Sequence, residues 1–100
     1  MSELWEILVP QAFNDGIKVP VGHHHLWDEK VRGIAGGLTV LRTARGIWQS
    51  PTGEIFREKM IPVRIACSKT QILEIMAFTK THYLQEKVMA YRISDHVIIE

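Results

Sequence analysis

Three consecutive histidines, His23-His24-His25, with Asp28 close behind, form the cluster in this chain whose side chains have metal-ligand chemistry. Imidazole and carboxylate suit zinc, nickel or copper, and a loop leading into a helix could bring two imidazoles to one ion. Neighbouring residues of an extended segment point to opposite sides, so the run offers His23 and His25 together, with Asp28, or His24 alone. A run of three is not the ligand spacing of a closed site, and no CxxC accompanies it. The expectation is therefore a solvated loop that helps to cap a helix.

A second candidate pairs His82 with Tyr83 near the end of the second helical pattern. An imidazole is available as a general base near neutral pH, and a phenol can polarise a carbonyl; with Trp48 they could act on a small organic molecule in a cleft between helices and sheet. The plainer reading is that a histidine in a last helical turn is favoured by the helix dipole, while Tyr83 continues a core stripe. Cys67, the single cysteine, precedes a helix start that could lower a thiol pKa, yet free cysteine is more often a small buried hydrophobe. No phosphate-cradling glycine loop, nucleophile elbow or paired-carboxylate pattern occurs, and no cofactor is implied.

Arg42, Arg45, Arg57, Lys59 and Arg64 lie near Trp48 and Phe56, a mixture that RNA-recognition sheets use to stack bases. The aromatic core of that motif is missing, and 12 basic against 11 acidic residues leave a formal charge of +1. Such a balance supplies no field to recruit nucleic acid or an anionic membrane. No apolar run is long enough for a helix to span a bilayer. With one cysteine, and acids at Glu3 and Glu6 where a secretory leader would carry bases, a cytoplasmic location is expected.

The elements that must hold these residues follow from periodicity. A chain of 100 residues, 46% apolar, suits one domain, 1–100. Leu4 to Val9 alternates with apolar residues on both faces and reads as a central strand. Pro10 to His25 lacks periodicity and carries turn formers, so it reads as a long loop. Trp27, Val31, Ile34 and Ala35 mark a helix of two to three turns with Asp28 and Glu29 in its first turn, ended by Gly36-Gly37.

Leu38 to Gln49 and Glu54 to Cys67 then form a long hairpin around Ser50-Pro51-Thr52-Gly53. Gly46 suggests a bulge or a close backbone approach, and Pro62 argues for an edge position or a bulge. Ser68-Lys69-Thr70-Gln71 matches a capping box. It opens a helix with Ile72, Ile75, Met76, Thr79 and Tyr83 on its stripe, broadened by Leu73, Phe78 and Leu84. Val88 to Ile93 is the last long extended segment, and Val97-Ile98-Ile99 could add a final strand.

The order β-α-β-β-α-β specifies an α+β, ferredoxin-like plait: a four-stranded antiparallel sheet with both helices on one face. Ile47, Trp48, Phe56 and Tyr91 exceed what one helical layer covers, which points to a homodimer or trimer through the bare face of the sheet.

Gly37-Leu38-Thr39-Val40-Leu41, Ala44-Arg45-Gly46-Ile47-Trp48, Gly53-Glu54-Ile55 with Glu58, and Tyr83-Leu84-Gln85-Glu86-Lys87-Val88 carry a resemblance. About half the chain resembles a bacterial family of small proteins of unknown function with a GLT…GxW…G…E hairpin and a Y…Q…V junction. Members of that family tend to be exported. The resemblance implies the plait and says nothing of activity. In architecture the chain is also similar to the trimeric copper-tolerance and nitrogen-regulatory signalling proteins, without a matching nucleotide-binding loop. Two readings of function follow: a non-catalytic, homo-oligomeric module that binds a small ligand or a protein, or a cofactor-independent enzyme, monooxygenase- or isomerase-like.

Overall fold

In the computed structural model, which describes residues 2–100, the chain runs β1 (Glu3–Pro10), α1 (Val21–Ala35), β2 (Thr39–Val40), β3 (Ala44–Gln49), β4 (Ile55–Cys67), α2 (Lys69–His82) and β5 (Ala90–Ser94). Every strand pair is antiparallel, in the order β2-β4-β1-β5, with β3 beside the outer half of β4. Both helices pack on one face of the sheet, which is the ferredoxin-like plait expected.

Strand alternation places the core. Ile7 and Val9 of β1 and Val63, Ile65 and Cys67 of β4 share a parity and are buried under α1 and α2 with Trp27, Val31, Ile72, Ile75 and Tyr83. Leu4, Glu6 and Leu8 take the other parity and face away from the helices, opposite Ala66, Arg64 and Pro62. The central position expected for β1 is what the register shows, since β1 pairs β4 on one side and β5 on the other.

The single strand expected over Leu38 to Gln49 is two strands, and Pro62 supplies the reason. The Pro62 carbonyl accepts from the Leu41 N–H at 2.9 Å, so the Pro62 nitrogen faces the same neighbour. Proline has no N–H to donate. The ladder therefore lapses between the Val40↔Val63 and Ala44↔Met60 pairs. Pro62 thus sits in an interior strand rather than at an edge, with its missing donor aimed at the break. Gly46 is a close approach, as its position suggested: a Cβ there would lie 2.0 Å from Met60 Cε and 2.9 Å from Trp48 Nε1.

The hairpin closes with Gly53 at φ 90°, where its N–H donates to the Ser50 carbonyl at 3.0 Å. Beyond Met60 the ribbon leaves the body of the sheet. β1 pairs β4 only from Met60 to Cys67, whereas Ile55 to Lys59 pair β3 alone.

α1 begins at Val21, so the histidine run lies in its first two turns and not in a loop. Pro20 is its N-cap residue and its carbonyl accepts from the His23 N–H at 3.0 Å. The helix has 15 residues, longer than its apolar stripe implied, and no acid lies in its first turn, because Asp28 and Glu29 come later. Gly36 ends it in the left-handed conformation, its N–H donating to Arg32 O at 2.8 Å. Residues 11–19 before it form a small hairpin-like turn, held by the Ala12↔Lys18 bridge and by Val19, which is buried.

α2 starts with the expected capping box: Ser68 Oγ accepts from the Gln71 N–H at 3.2 Å and Gln71 Oε1 from the Ser68 N–H at 2.9 Å. The Gln71 amide also donates to the Ile34 carbonyl at 3.1 Å, joining this start to the end of α1. Ile72, Ile75 and Thr79 are its buried stripe, while Leu73 and Leu84 are exposed and do not broaden it. The chain leaves the helix through Leu84 at φ 55°, where the Gln85 N–H reaches back to Lys80 O at 2.8 Å in a Schellman-type closure. Val97 to Ile99 lie outside any strand, and Ile98 and Ile99 are exposed.

Replacing Ser68 with Ala leaves the Gln71 N–H without its cap acceptor. Urea denaturation is expected to show a loss of about 1 kcal/mol with an unchanged m-value.

Candidate functional site

Four of the residues singled out for chemistry, His23, His24, His82 and Tyr83, meet where the N-terminal turns of α1 come against the C-terminal turn of α2. His23 and His82 stack, their ring centroids 3.7 Å apart and their planes 8° from parallel. The pair is reciprocal: His23 Nε2 lies 2.6 Å from the His82 carbonyl and His82 Nε2 lies 2.7 Å from the His23 carbonyl. A carbonyl only accepts, so each ring donates through Nε2. Phe13 meets His23 edge-on at 5.7 Å and Phe78 stacks on His82 at 5.1 Å, while Lys30 Nζ caps the Phe78 face at 5.8 Å.

Tyr83, with no exposed surface, lies beside this column and bonds His24 Nδ1 at 2.6 Å. Burial first, and then the charge of Asp28, pushes the Tyr83 phenol well above its ordinary range, so the hydroxyl keeps its proton. Burial is also the main cause that lowers the His24 pKa; Asp28 opposes it, and His23, His82 and His25 add to it. Behind Tyr83 the Trp27 indole donates to Thr79 Oγ1 at 2.9 Å, and the Thr79 hydroxyl donates to the Ile75 carbonyl at 2.6 Å.

The helix reorganises the histidine run. Because successive helical residues are turned by about 100°, His23 faces His82 and His24 faces Tyr83, while His25 is exposed. His25 lines an open depression on the outer side of α1 with Asp28, Glu29 and Arg32. The pairing of His23 with His25, argued for an extended segment, is replaced by this division. Among the described residues no group of three or more His, Cys, Asp or Glu is placed to hold a metal ion.

The catalytic set expected from the sequence is brought together in part. His82 and Tyr83 are neighbours, but Trp48 pairs with Phe56 on the hairpin, at the parity that turns away from the helices. The histidine and tyrosine rings pack on one another, and the hydrogen bonds of His23, His82 and Tyr83 hold the helix ends together. As placed, these groups latch two elements. Cys67 is buried, and its thiol is pushed up to about 11 by burial and then by the charge of Glu3, which leaves it a poor nucleophile. Of the basic residues placed in strands, Arg64 alone shares a face with the ribbon aromatics. Arg45, Arg57 and Lys59 have the parity opposite to that of Trp48, Phe56 and Arg64.

One polar group was not singled out in the sequence. Glu6 is buried on the helix-free face, where Oε1 accepts from Arg64 Nε at 3.0 Å and Oε2 from the Tyr91 hydroxyl. Its signal is a carboxylate at the centre of the otherwise apolar strand Leu4 to Val9.

No protein-family model matches the chain, and no curated protein matches it by sequence. Solved structures do match in fold. The periplasmic divalent cation tolerance protein CutA from Archaeoglobus fulgidus superposes with a TM-score of 0.70 at 9% identity, over 100% of this chain and 89% of that one. CutA1 from the psychrotrophic bacterium Shewanella sp. SIB1 gives 0.70 at 13% identity, over 98% and 84%. A phage SAM lyase in complex with S-methyl-5'-thioadenosine gives 0.67 at 15% identity, over 93% and 89%. A CutA1 from Oryza sativa also matches, so the fold is not confined to bacteria. At these identities the likeness is one of fold: this chain has a CutA1-like fold.

Two measurements test the latch. Thr79→Val removes the acceptor of the buried Trp27 N–H and is expected to cost about 1–3 kcal/mol in chemical denaturation. For His24 the folded pKa lies below the unfolded value, so the unfolded chain binds more protons as pH falls below 6.5. The stability His24 supports is present above that pH and is lost as pH falls through the folded pKa. Denaturation midpoints between neutral and acid pH should therefore decline less steeply in His24→Asn than in the parent chain.

Proposed function

We propose that this chain is a non-catalytic, homo-oligomeric binding module whose copies meet through the helix-free face of the sheet and the projecting hairpin. The observation that carries the reading is the outer ribbon, where Ile55 to Lys59 pair β3 alone, beyond the reach of β1. Ile47 and Ile55 lie exposed at one parity of that ribbon, and Trp48 and Phe56 at the other. A two-stranded ribbon is marginal by itself in water, and an apolar patch on both its sides favours cover by another chain. Tyr91 and Ile93 extend the exposed apolar surface on the sheet. A second copy offers the same patch and satisfies both sides at once.

The position of the titratable residues supports a module over an enzyme: His23, His24, His82 and Tyr83 spend their donors and acceptors on the helix latch. The single buried thiol of Cys67 agrees with a cytoplasmic location. The resemblance to uncharacterised proteins with a GLT…GxW…G…E hairpin fits the same reading, since Gly46, Trp48 and Met60 form the packed part of the ribbon. A second reading, a cofactor-independent small-molecule enzyme, draws support from the phage SAM lyase, a protein of like fold that binds S-methyl-5'-thioadenosine.

Sedimentation equilibrium is expected to give a multiple of the 11.5 kDa chain mass, and Trp48→Glu with Phe56→Glu to shift it toward the single chain without loss of circular dichroism. A parent chain that sediments as a single copy at every concentration removes the reading.

A further inference from the structure

The first turn of α1 is held by its neighbour more than by itself. Its N-cap residue is Pro20, which supplies no side-chain bond, and Gly22 lies within the turn, so the local sequence gives this helix end little support. Support comes from α2: His23 bonds the His82 carbonyl, His82 bonds the His23 carbonyl, and the two rings stack at 3.7 Å. Each ring donates through Nε2, so the next proton must enter at Nδ1. Neither Nδ1 carries a hydrogen bond among the described residues, and no unpaired side-chain nitrogen is buried there, so both are open to water.

We propose that the stacked His23–His82 pair is an acid-opened latch: with both rings protonated, the first turn of α1 parts from the end of α2 while the sheet stays folded. A single imidazolium keeps both carbonyl bonds. A second brings two like charges face to face at 3.7 Å, where even water-like screening leaves a repulsion. The helix ends add to it, since a cation on His82 suits the C-terminal turn of α2 but a cation on His23 stands at the positive end of α1. The surroundings offer little relief. α1 presents His24, His25, Asp28 and Lys30, the last over Phe78; α2 carries Lys80 in the same last turn as His82, and Tyr83 follows. The turn before α1 meets the column through the uncharged Phe13 ring, and its Asp15 accepts from the Ile17 N–H instead. Asp28 is thus the one acid among these groups, set against His23, His24 and His82. The core anchors Trp27 and Val31 lie beyond the first turn, so opening can stay local, and it uncovers Tyr83, which is fully buried when the latch is shut. The latch lies on the helical side, apart from the face through which copies are proposed to meet, so it stands or falls independently of assembly.

Native-state hydrogen exchange of the full chain, corrected for the intrinsic pH dependence of amide exchange, tests it. Between about pH 8 and about pH 5, where imidazoles take up their second proton, protection of the amides at positions 23 and 24, which donate to the Pro20 carbonyl, is expected to fall by about tenfold or more, while that of Val63 and Ile65 in β4 holds. His82→Gln keeps a donor for the carbonyl but cannot carry the second charge, and the fall is expected to shrink to less than about twofold. His23→Gln removes the other charge and is expected to do the same, so the test survives if either variant is unstable. In His24→Asn, which leaves the stacked pair intact, the fall persists. Protection at positions 23 and 24 that holds across the range, β4 amides that lose protection in parallel, or a fall undiminished in the Gln variants overturns the latch. So does a fall that disappears in His24→Asn, because the trigger then lies at His24.

Discussion

The structure depends on β4 serving two masters along its length. Its inner half, Met60 to Cys67, is bonded by β1 on one side, with β2 on the other, and contributes Val63, Ile65 and Cys67 to the core. Its outer half pairs with β3, and beyond that only the Lys59 carbonyl accepts, from the Gln11 N–H at 3.3 Å. Thirteen residues are more than the body of so small a sheet can cover, so part of the strand must project. Pro62 makes the division possible, since a residue without an N–H releases the neighbouring strand just where the sheet body ends. The packed core and the naked ribbon are thus consequences of one strand.

The helical layer answers the inner half and takes up three of the chain's five histidines together with Tyr83. Antiparallel helices bring the start of α1 to the end of α2, and a helix start and a helix end each expose unsatisfied backbone groups. His23 and His82 each reach across to a carbonyl of the other helix, and Tyr83 and His24 close the gap beside them. The imidazoles thereby act as aromatic packing with a polar rim, continuous with Phe13 and Phe78. Residue types that suggest catalysis or metal binding in a list of letters are here fasteners between two elements.

The opposite face has no such layer, and its chemistry stays available. Glu6, Arg64 and Tyr91 satisfy one another across three strands, which offsets the cost of a buried carboxylate. Trp48 and Phe56 of the ribbon continue this surface at the same parity.

Alternation and helical periodicity in the amino-acid sequence determined β1, the core half of β4, the capped start of α2 and hence the plait, since these depend on which neighbours in the chain share a face. Gly46 was also legible, because a strand seldom tolerates a glycine without a close approach. The start of α1 was not: its first turn, Val21 to His24, is stabilised by contacts with α2 that lie 59 residues away, and no local pattern records them. The break between β2 and β3 was hidden for a similar reason, as the proline that causes it belongs to the facing strand. Only the tertiary structure could decide that the histidines latch two helices and that Glu6 grips Arg64, because both arrangements bring together side chains whose distance along the chain is set by packing and not by sequence order.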